Sequence, residues 1–381
     1  MVQLLAYPDS PAAGLVRPGT VARFKASFSR FLGLGTALAA SAALLVVPPA
    51  GLKPKPSAPV LVAAAWPRAQ RGAIPASLKD GTAYEPLIFL DARTSVGTAE
   101  SKDGRSLRLL LRRADASVRE LRSLPVAKDP SFQTFAIDGN ELAWAEGTRG
   151  RTSGLWAINL QDGKPAREVT ADTGDAIFYR SQYDLLIAEG RLHWAAAGAA
   201  GATEVRSVAL TGGPVDTRVE AGNWELSAWP WLVNGVTEAV GTTRLRNLAT
   251  NQDVAVTGAG RRSATNCSPT WCRVATLSRD GFNRIDLMHP DGTARRRIAG
   301  GTATTVIADV APLDKYDILA QTGPTSDLSG NAELIAVEIA THRTVEVSPD
   351  AGRVSYRDGV LWWSTGNLDS FVWHSLDLRT I

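Results

Sequence analysis

The residue types that could do chemistry in this chain are few, and both cysteines lie in one stretch, CSPTWC at 267–272. Cys267 and Cys272 could be a metal clip, a redox pair or a disulfide staple. Zinc in a structural site wants four cysteine or histidine ligands. The chain has no third cysteine, and the nearest histidine, His289, lies seventeen residues past Cys272. The choice between the other two depends on where the chain is sent.

The four histidines (His193, His289, His342, His374) are far apart in sequence. His193 and His374 each adjoin a tryptophan in a strand-like run, which predicts packing positions, and no metal site is expected. No G-x-S-x-G elbow, H-E-x-x-H, C-x-x-C or phosphate-binding loop occurs. Asp172 and Asp175 in TADTGD have oxygen donors suited to a hard cation, but the stretch reads as a solvated connecting loop. Asp175, Asp184 and Asp309 form a shortlist for two-carboxylate hydrolysis, which needs a defined separation that sequence cannot give. In WELSAWPWLV, Trp224, Trp229 and Trp231 fall within eight residues. They are candidates for an aromatic platform that stacks on a sugar or clamps a peptide. Tryptophans also fill cores, and eight of the eleven lie elsewhere.

What positions these residues begins with a leader. Residues 31–47, FLGLGTALAASAALLVV, carry no charge; Arg17, Arg23, Lys25 and Arg30 precede them and five prolines follow between 48 and 59. A basic flank, an apolar run and a helix-breaking exit are the order of an export signal. Four segments follow: a basic stretch 1–30, a signal peptide or membrane anchor 31–47 forming a hydrophobic helix, a Pro/Ala-rich linker 48–65, and a folded domain 66–381. Cleavage and retention are both open, and the start codon could lie at Val16 or Val21. Membrane contact is expected only through 31–47, with the domain outside the cell or anchored at its surface. In an oxidising compartment two cysteines have one connectivity, and Pro269 suits the second position of a turn between them. The expectation is a Cys267–Cys272 disulfide across a hairpin, stabilising by only about 2 kcal/mol because its loop is small.

The charge balance also separates leader from domain. Residues 1–60 hold six basic groups and one acid; removing them from totals of 41 and 38 leaves 35 basic against 37 acidic. The basic pI therefore belongs to the leader, which excludes a nucleic-acid footprint on the fold. The run Arg295-Arg296-Arg297 reads as a solvated strand end.

Beyond the linker one phrase recurs: an apolar strand, a turn, a short polar strand. Its instances are 106–121, 154–170, 204–219, 243–258, 283–300, 333–348 and 371–380. Their turn residues (Asp115, Asp162, Gly212, Asn251, Asp291, Thr341) are spaced by 47, 50, 39, 40 and 50 residues. Within LWAINL, Leu155, Ala157 and Asn159 should point one way and Trp156, Ile158 and Leu160 the other. A further strand pair precedes several phrases, at 136–147, 187–198 and 356–366. Four strands per unit at this period predict an all-β propeller of seven four-stranded blades, with six as the alternative count. The last unit stops after its third strand, leaving an edge open to aggregation. A strand from about 73–91 should complete it.

The wording of two units is familiar. DGFNRIDLMHPDGTARRRIAG, 280–300, resembles the repeat of TolB-like propellers, and GLWAINLQDGKPAREVT, 154–170, resembles that repeat and the quinoprotein-type one. The resemblance implies a propeller of the kind found in envelope binding scaffolds and in the N-terminal domains of prolyl oligopeptidase-like enzymes. Quinoprotein chemistry would bring adjacent cysteines and a calcium loop, which the chain lacks, so no cofactor is expected. The functional expectation is a non-catalytic scaffold for a protein, peptide or glycan. The alternative is an extracytoplasmic hydrolase or lyase with residues converging on the propeller axis.

Overall fold

Strands along this chain alternate between two buried faces, and that alternation builds the architecture. In Glu141–Thr148, Leu142 and Trp144 enter one apolar cluster while Ala143 and Ala145 enter another. Leu155 and Ala157 face the second cluster; Ile158, flanked by Trp156 and Leu160, faces the first. A sheet apolar on both sides must be sandwiched between two others, and a ring of such sheets satisfies every member. The computed structural model describes residues 59–381 other than 150, 259, 261, 278–282 and 368–370. The apolar run 31–47 therefore lies outside the described residues, and no helix among the described residues is long and apolar enough to cross a membrane.

Seven sheets follow one another along the chain. Blade 1 comprises Glu85–Phe89, Ser95–Glu100, Ser106–Arg112 and Val118–Pro125. Blade 2 comprises Pro130–Asp138, Glu141–Thr148, Arg151–Asn159 and Arg167–Thr170. In blade 3 the first strand is broken into Asp175–Ala176 and Leu185–Ala188, both paired with Arg191–Ala197, before Thr203–Ala209 and Asp216–Glu220. Blade 4 has Trp224–Leu226, Trp231–Asn234, Arg244–Asn247 and Gln252–Ala255; blade 5 has Ser263–Cys267, Cys272–Leu277, Asn283–Met288 and Arg296–Gly301. Blade 6 opens on the two-residue strand Thr304–Thr305, then Tyr316–Gln321, Ala332–Glu338 and Thr344–Ala351. Blade 7 consists of Val354–Arg357, Val360–Thr365, Val372–Asp377 and, from the other end of the chain, Arg71–Pro75. The chain is thus a seven-bladed β-propeller; six of the recurring phrases are the third and fourth strands of blades 1 to 6, and the seventh, 371–380, holds the third strand of blade 7 alone.

Ring closure follows the expectation with an offset. Arg71–Pro75 pairs antiparallel with Val372–Asp377, from Arg71 opposite Leu376 to Pro75 opposite Val372. The strand starts two residues before the expected window, and the end of that window, 85–89, opens blade 1. Gly72 lets the closing strand press against its neighbour: a Cβ there would lie 1.8 Å from the Ala92 carbonyl oxygen. Residues 60–65, read as linker, instead form a short strand and a helical turn on blade 6. Val60–Leu61 pairs in parallel with Val345 and Glu346, and the following Trp66 donates its indole N–H to Glu338 Oε1 at 2.6 Å. An edge strand of blade 6 is thereby covered.

Arginines stitch the seams. Arg167 donates to the Leu210 carbonyl at 3.2 Å, Arg218 to that of Leu248 at 2.7 Å, and Arg296 to that of Ile339. In each case a fourth-strand arginine reaches the residue just past the third strand of the next blade. In the Arg295–Arg297 run, Arg295 and Arg297 are exposed, as a solvated strand end should be, and Arg296 is half-buried. Arg296 is engaged in the seam, and Arg295 pairs with the fully buried carboxylate of Asp286 at 3.0 Å. Buried carboxylates need partners, and arginines beside them meet that need.

Candidate axial site

First strands line the axis of a propeller, so the two blades with defective first strands are where the centre departs from a regular barrel of strands. In blade 3 the break releases residues 177–184, and in blade 6 the chain runs from Thr305 to Tyr316 without a strand. These two segments meet. Ser181 Oγ donates to Asp309 Oδ1 at 2.9 Å, and the Gln182 backbone N–H reaches the same atom at 3.3 Å. Contacts between blades this far apart around the ring place the junction on the axis.

Arg357, the last residue of the first strand of blade 7, holds the junction from a third direction. Its guanidinium donates to the carbonyls of Ser181 at 3.0 Å and Gln182 at 3.1 Å, to Thr134 Oγ1 at 3.4 Å, and to the Phe135 carbonyl. The Asp358 backbone N–H donates to Gln182 Oε1 at 3.1 Å. Arg273 anchors the other segment, donating to the Asp309 carbonyl at 2.8 Å while pairing with Asp317 at 2.5 Å. That pair is almost completely buried, at 2% and 0% side-chain exposure. The axis is therefore plugged by protein, with backbone carbonyls of both segments satisfied by two arginines, while Asp184 Oδ2 and Thr242 Oγ1 lie buried without a hydrogen-bond partner among the described residues.

The 177–184 segment separates two spaces, because alternate residues point to opposite sides. Phe178, Arg180 and Asp184 line an open pocket of about 720 Å³ with Gln133, Thr173 and Asp175. Tyr179, Ser181 and Tyr183 line a small cavity of about 90 Å³ with Glu225, Thr242, Cys267 and Asp309. Burial shifts the carboxyls on both sides. Asp184 is pushed up to about 6 by burial, against hydrogen bonding to the backbone at Tyr179 and Arg180 and the charge of Arg357. Glu225 is pushed up to about 8 by burial and then by the charge of Asp184. Asp309 is raised by burial, against its bond from Ser181 and the charge of Arg357.

Of the shortlisted carboxylates, Asp184 and Asp309 come together around Arg357, on opposite sides of the loop, and Asp175 is exposed in the open pocket with Asp184. Asp172 is paired with Arg206 at 2.6 Å in the loop joining blades 2 and 3. The three tryptophans form no common platform. Trp224 is buried in a cluster against which Trp229 packs, Trp229 also lies tilted against His193 of blade 3 with centroids 3.8 Å apart, and Trp231 packs toward the blade 4–5 cluster. His374 shares a 2.8 Å hydrogen bond with Thr365 and stacks on Trp363. Among the described residues no group of three or more His, Cys, Asp or Glu side chains is placed to hold a metal. Glu225 and Arg357 were missed in the sequence. Glu225 sits inside WELSAWPWLV, where the aromatics draw attention, and Arg357 precedes an Asp-Gly turn that reads as an ordinary hairpin.

Cys267 and Cys272 form a disulfide with Cα atoms 4.0 Å apart, directly opposite each other at the end of the first hairpin of blade 5. The turn is closed by the Ser268 N–H donating to the Trp271 carbonyl at 2.7 Å, with Pro269 in its second position. The staple therefore stiffens one wall of the small axial cavity.

No protein-family model and no curated protein matches the chain. Solved structures resemble it in fold. One is the β-propeller domain of the Trilobed protease from Pyrococcus furiosus, at 13% identity over 64% of this chain and 81% of that one, TM-score 0.43. Another is a putative TolB from Agrobacterium tumefaciens, at 16% identity over 68% of this chain and 94% of that one, TM-score 0.39. A third is a puromycin-hydrolyzing peptidase from Mycobacterium tuberculosis, at 12% identity over 80% of this chain, TM-score 0.48. The chain spans about half the length of the last, 52%.

Proposed function

We propose that this chain is an exported cell-envelope propeller acting as a binding scaffold, and that its ligand enters the open pocket between blades 2 and 3. The observation that carries this reading is the partition. Asp184 opens on the large pocket and Glu225 on the small cavity, with residues 177–184 between them. Asp184 shares no space with Glu225 or Asp309, and the cavity that Glu225 and Asp309 share, at about 90 Å³, is far below the roughly 300 Å³ and more of small-molecule sites, so an acid–base pair across a scissile bond has no common space large enough for a substrate. The open pocket has the size of small-ligand sites. Its polar wall of Gln133, Thr173, Asp175, Arg180 and Asp184 suits a peptide or glycan. The disulfide supports export, since such bonds persist in oxidising compartments.

Calorimetric titration of short peptides and oligosaccharides tests the site. Binding should weaken at least tenfold in Asp175→Asn/Arg180→Ala, both exposed positions whose loss leaves the plug intact. Undiminished binding in that variant would place the ligand elsewhere. One observation favours the enzyme reading: a buried carboxyl near 6 is suited to proton transfer. Hydrolysis of any of the same probes, abolished by Asp184→Asn, would establish it in place of the scaffold.

A further inference from the structure

A large open cavity lies away from the axis, wrapped around the closing strand at the rim of blade 7. It encloses about 1010 Å³ and is walled by Arg68–Ala73, by Val62 and Val347 on the blade 6 side, and by Asp91, Arg93 and Ala114 on the blade 1 side. Trp363, His374 and Leu376 lie beneath.

Its charge is unbalanced. Many arginines among the described residues are matched with carboxylates, as in Arg122–Glu146, Arg206–Asp172, Arg246–Asp253 and Arg379–Asp377. Arg68, Arg71 and Arg93 are exposed at the cavity rim and have no hydrogen-bond or ion-pair partner for their guanidinium groups among the described residues. The single carboxylate in the wall, Asp91, is turned away into its own loop, where Oδ1 accepts the N–H groups of Arg93 at 2.6 Å and Thr94 at 2.8 Å. Three unneutralised guanidinium groups beside Val62 and the edges of Val347 and Trp363 make a cationic rim over apolar ground. Guanidinium forks match phosphate geometry, and an apolar floor has no use for a bare inorganic ion.

We infer that this cavity binds a phosphate-bearing amphiphile, its phosphate among Arg68, Arg71 and Arg93 and its apolar portion against Val62, Val347 and Trp363. The inference does not depend on the function assigned to the axial pocket. The same chemistry is offered by a dissolved lipid and by a headgroup in a bilayer.

The test uses the full chain and monomeric dihexanoylphosphatidylglycerol, followed by calorimetry at low salt. Saturable binding is expected, weakened at least tenfold in Arg68→Gln/Arg71→Gln/Arg93→Gln and unchanged in Arg297→Gln, an exposed arginine outside the cavity. Circular dichroism and the melting temperature establish that the triple variant is folded. Sedimentation with phosphatidylglycerol vesicles distinguishes the sources: retention that the triple variant loses assigns a bilayer headgroup, and binding of monomer alone assigns a dissolved lipid. Equal binding by wild type and triple variant would overturn the proposal, and that comparison also subtracts any uptake by the apolar leader. Equal affinity for dihexanoylphosphatidylcholine or for inorganic phosphate would overturn it as well, the first by removing the charge requirement and the second by removing the floor.

Discussion

Blade 2 and blade 3 stand side by side and are built to different rules. The first strand of blade 2, Pro130–Asp138, pairs along its whole length with its hairpin partner. The first strand of blade 3 keeps two pairs at one end and four at the other, and gives up the middle. Blade 6 goes further, with only Thr304 and Thr305 in its ladder position. What the broken strands lose in sheet hydrogen bonds they recover at the axis, through Arg357, Arg273 and the Ser181–Asp309 bond. Regular blades are held by apolar faces, whose contribution is roughly 2 kcal/mol for each large side chain fully buried. The plug is held by charge-assisted hydrogen bonds in a dry centre, where one missing partner is costly.

The largest expected effect falls on the apolar part. Deleting residues 1–76 removes the closing strand, leaving Val372–Asp377 as an open edge and taking Ile74 out of the cluster containing Trp373 and Phe89. The product should be insoluble or unfolded, whereas deleting 1–58 should leave a soluble folded domain. Sedimentation and circular dichroism of the two truncations measure this; two equally soluble products would mean the ring does not need its closure.

Next comes the plug. Arg357→Ala leaves the carbonyls of Ser181 and Gln182 without their donor, Asp184 without its nearby positive charge and Asp309 with only that of Arg273. Loss of one member of a buried charged network costs about 3–5 kcal/mol. The matching change at a rim seam, Arg167→Ala, should cost about 1 kcal/mol, because that arginine and its partner Glu141 are both partly solvated. Urea midpoints of the two variants compare axis with rim directly, and similar losses would erase the distinction.

The same contrast governs what could be read without coordinates. Turn chemistry is local, and all six turn positions expected between third and fourth strands carry a positive φ at or beside the named residue: Ala116, Gly163, Gly212, Asn251, Gly292 and His342. Strand alternation is local too, which is why both faces of LWAINL were assignable. Closure could be anticipated because an unpaired third strand demands a partner, although two candidate strands lay in the window and only Arg71–Pro75 took the role. The plug is different. Arg357 bonds to residues 175 and 176 positions away, mostly through carbonyl oxygens that every residue possesses. No side-chain pattern announces such a contact. The legible trace was the gap between TADTGD and the tryptophan-bearing strand of blade 3, where alternation lapses over 177–184.

A pH series sharpens the comparison from the axial side. Glu225 is pushed up to about 8 and Asp184 to about 6, in both cases chiefly by burial. A raised carboxyl binds its proton more tightly folded than unfolded. Its contribution is therefore fully present below the unfolded value near 4 and is lost as pH rises through the folded value. Stability should decline from pH 5 to pH 9. Glu225→Gln keeps the shape of the neutral acid and removes its titration, so relative to wild type it should gain about 4 kcal/mol of stability between pH 5 and pH 9. Melting temperatures across that range test the sign, and a wild type that gains stability toward pH 9 would contradict the burial of these groups.

The smallest effect is expected at the staple, which belongs to an unbroken first hairpin. Cys267→Ala/Cys272→Ala opens a loop of four residues, and a loop this short constrains the unfolded chain little, so the loss should be no more than about 2 kcal/mol. Apolar packing around the pair persists, since both cysteines belong to the cluster with Val233, Leu245 and Val274. The comparison of interest is with Arg357→Ala. The disulfide is covalent and borders the same small cavity, yet its hairpin is already fixed by a regular ladder and a closed turn. The guanidinium is held by hydrogen bonds alone, yet it joins segments that no ladder holds. If the double alanine variant lost more stability than Arg357→Ala, the axis would depend on the wall of blade 5 rather than on the loop of blade 3, and the division between regular and broken blades would have to be redrawn around the disulfide.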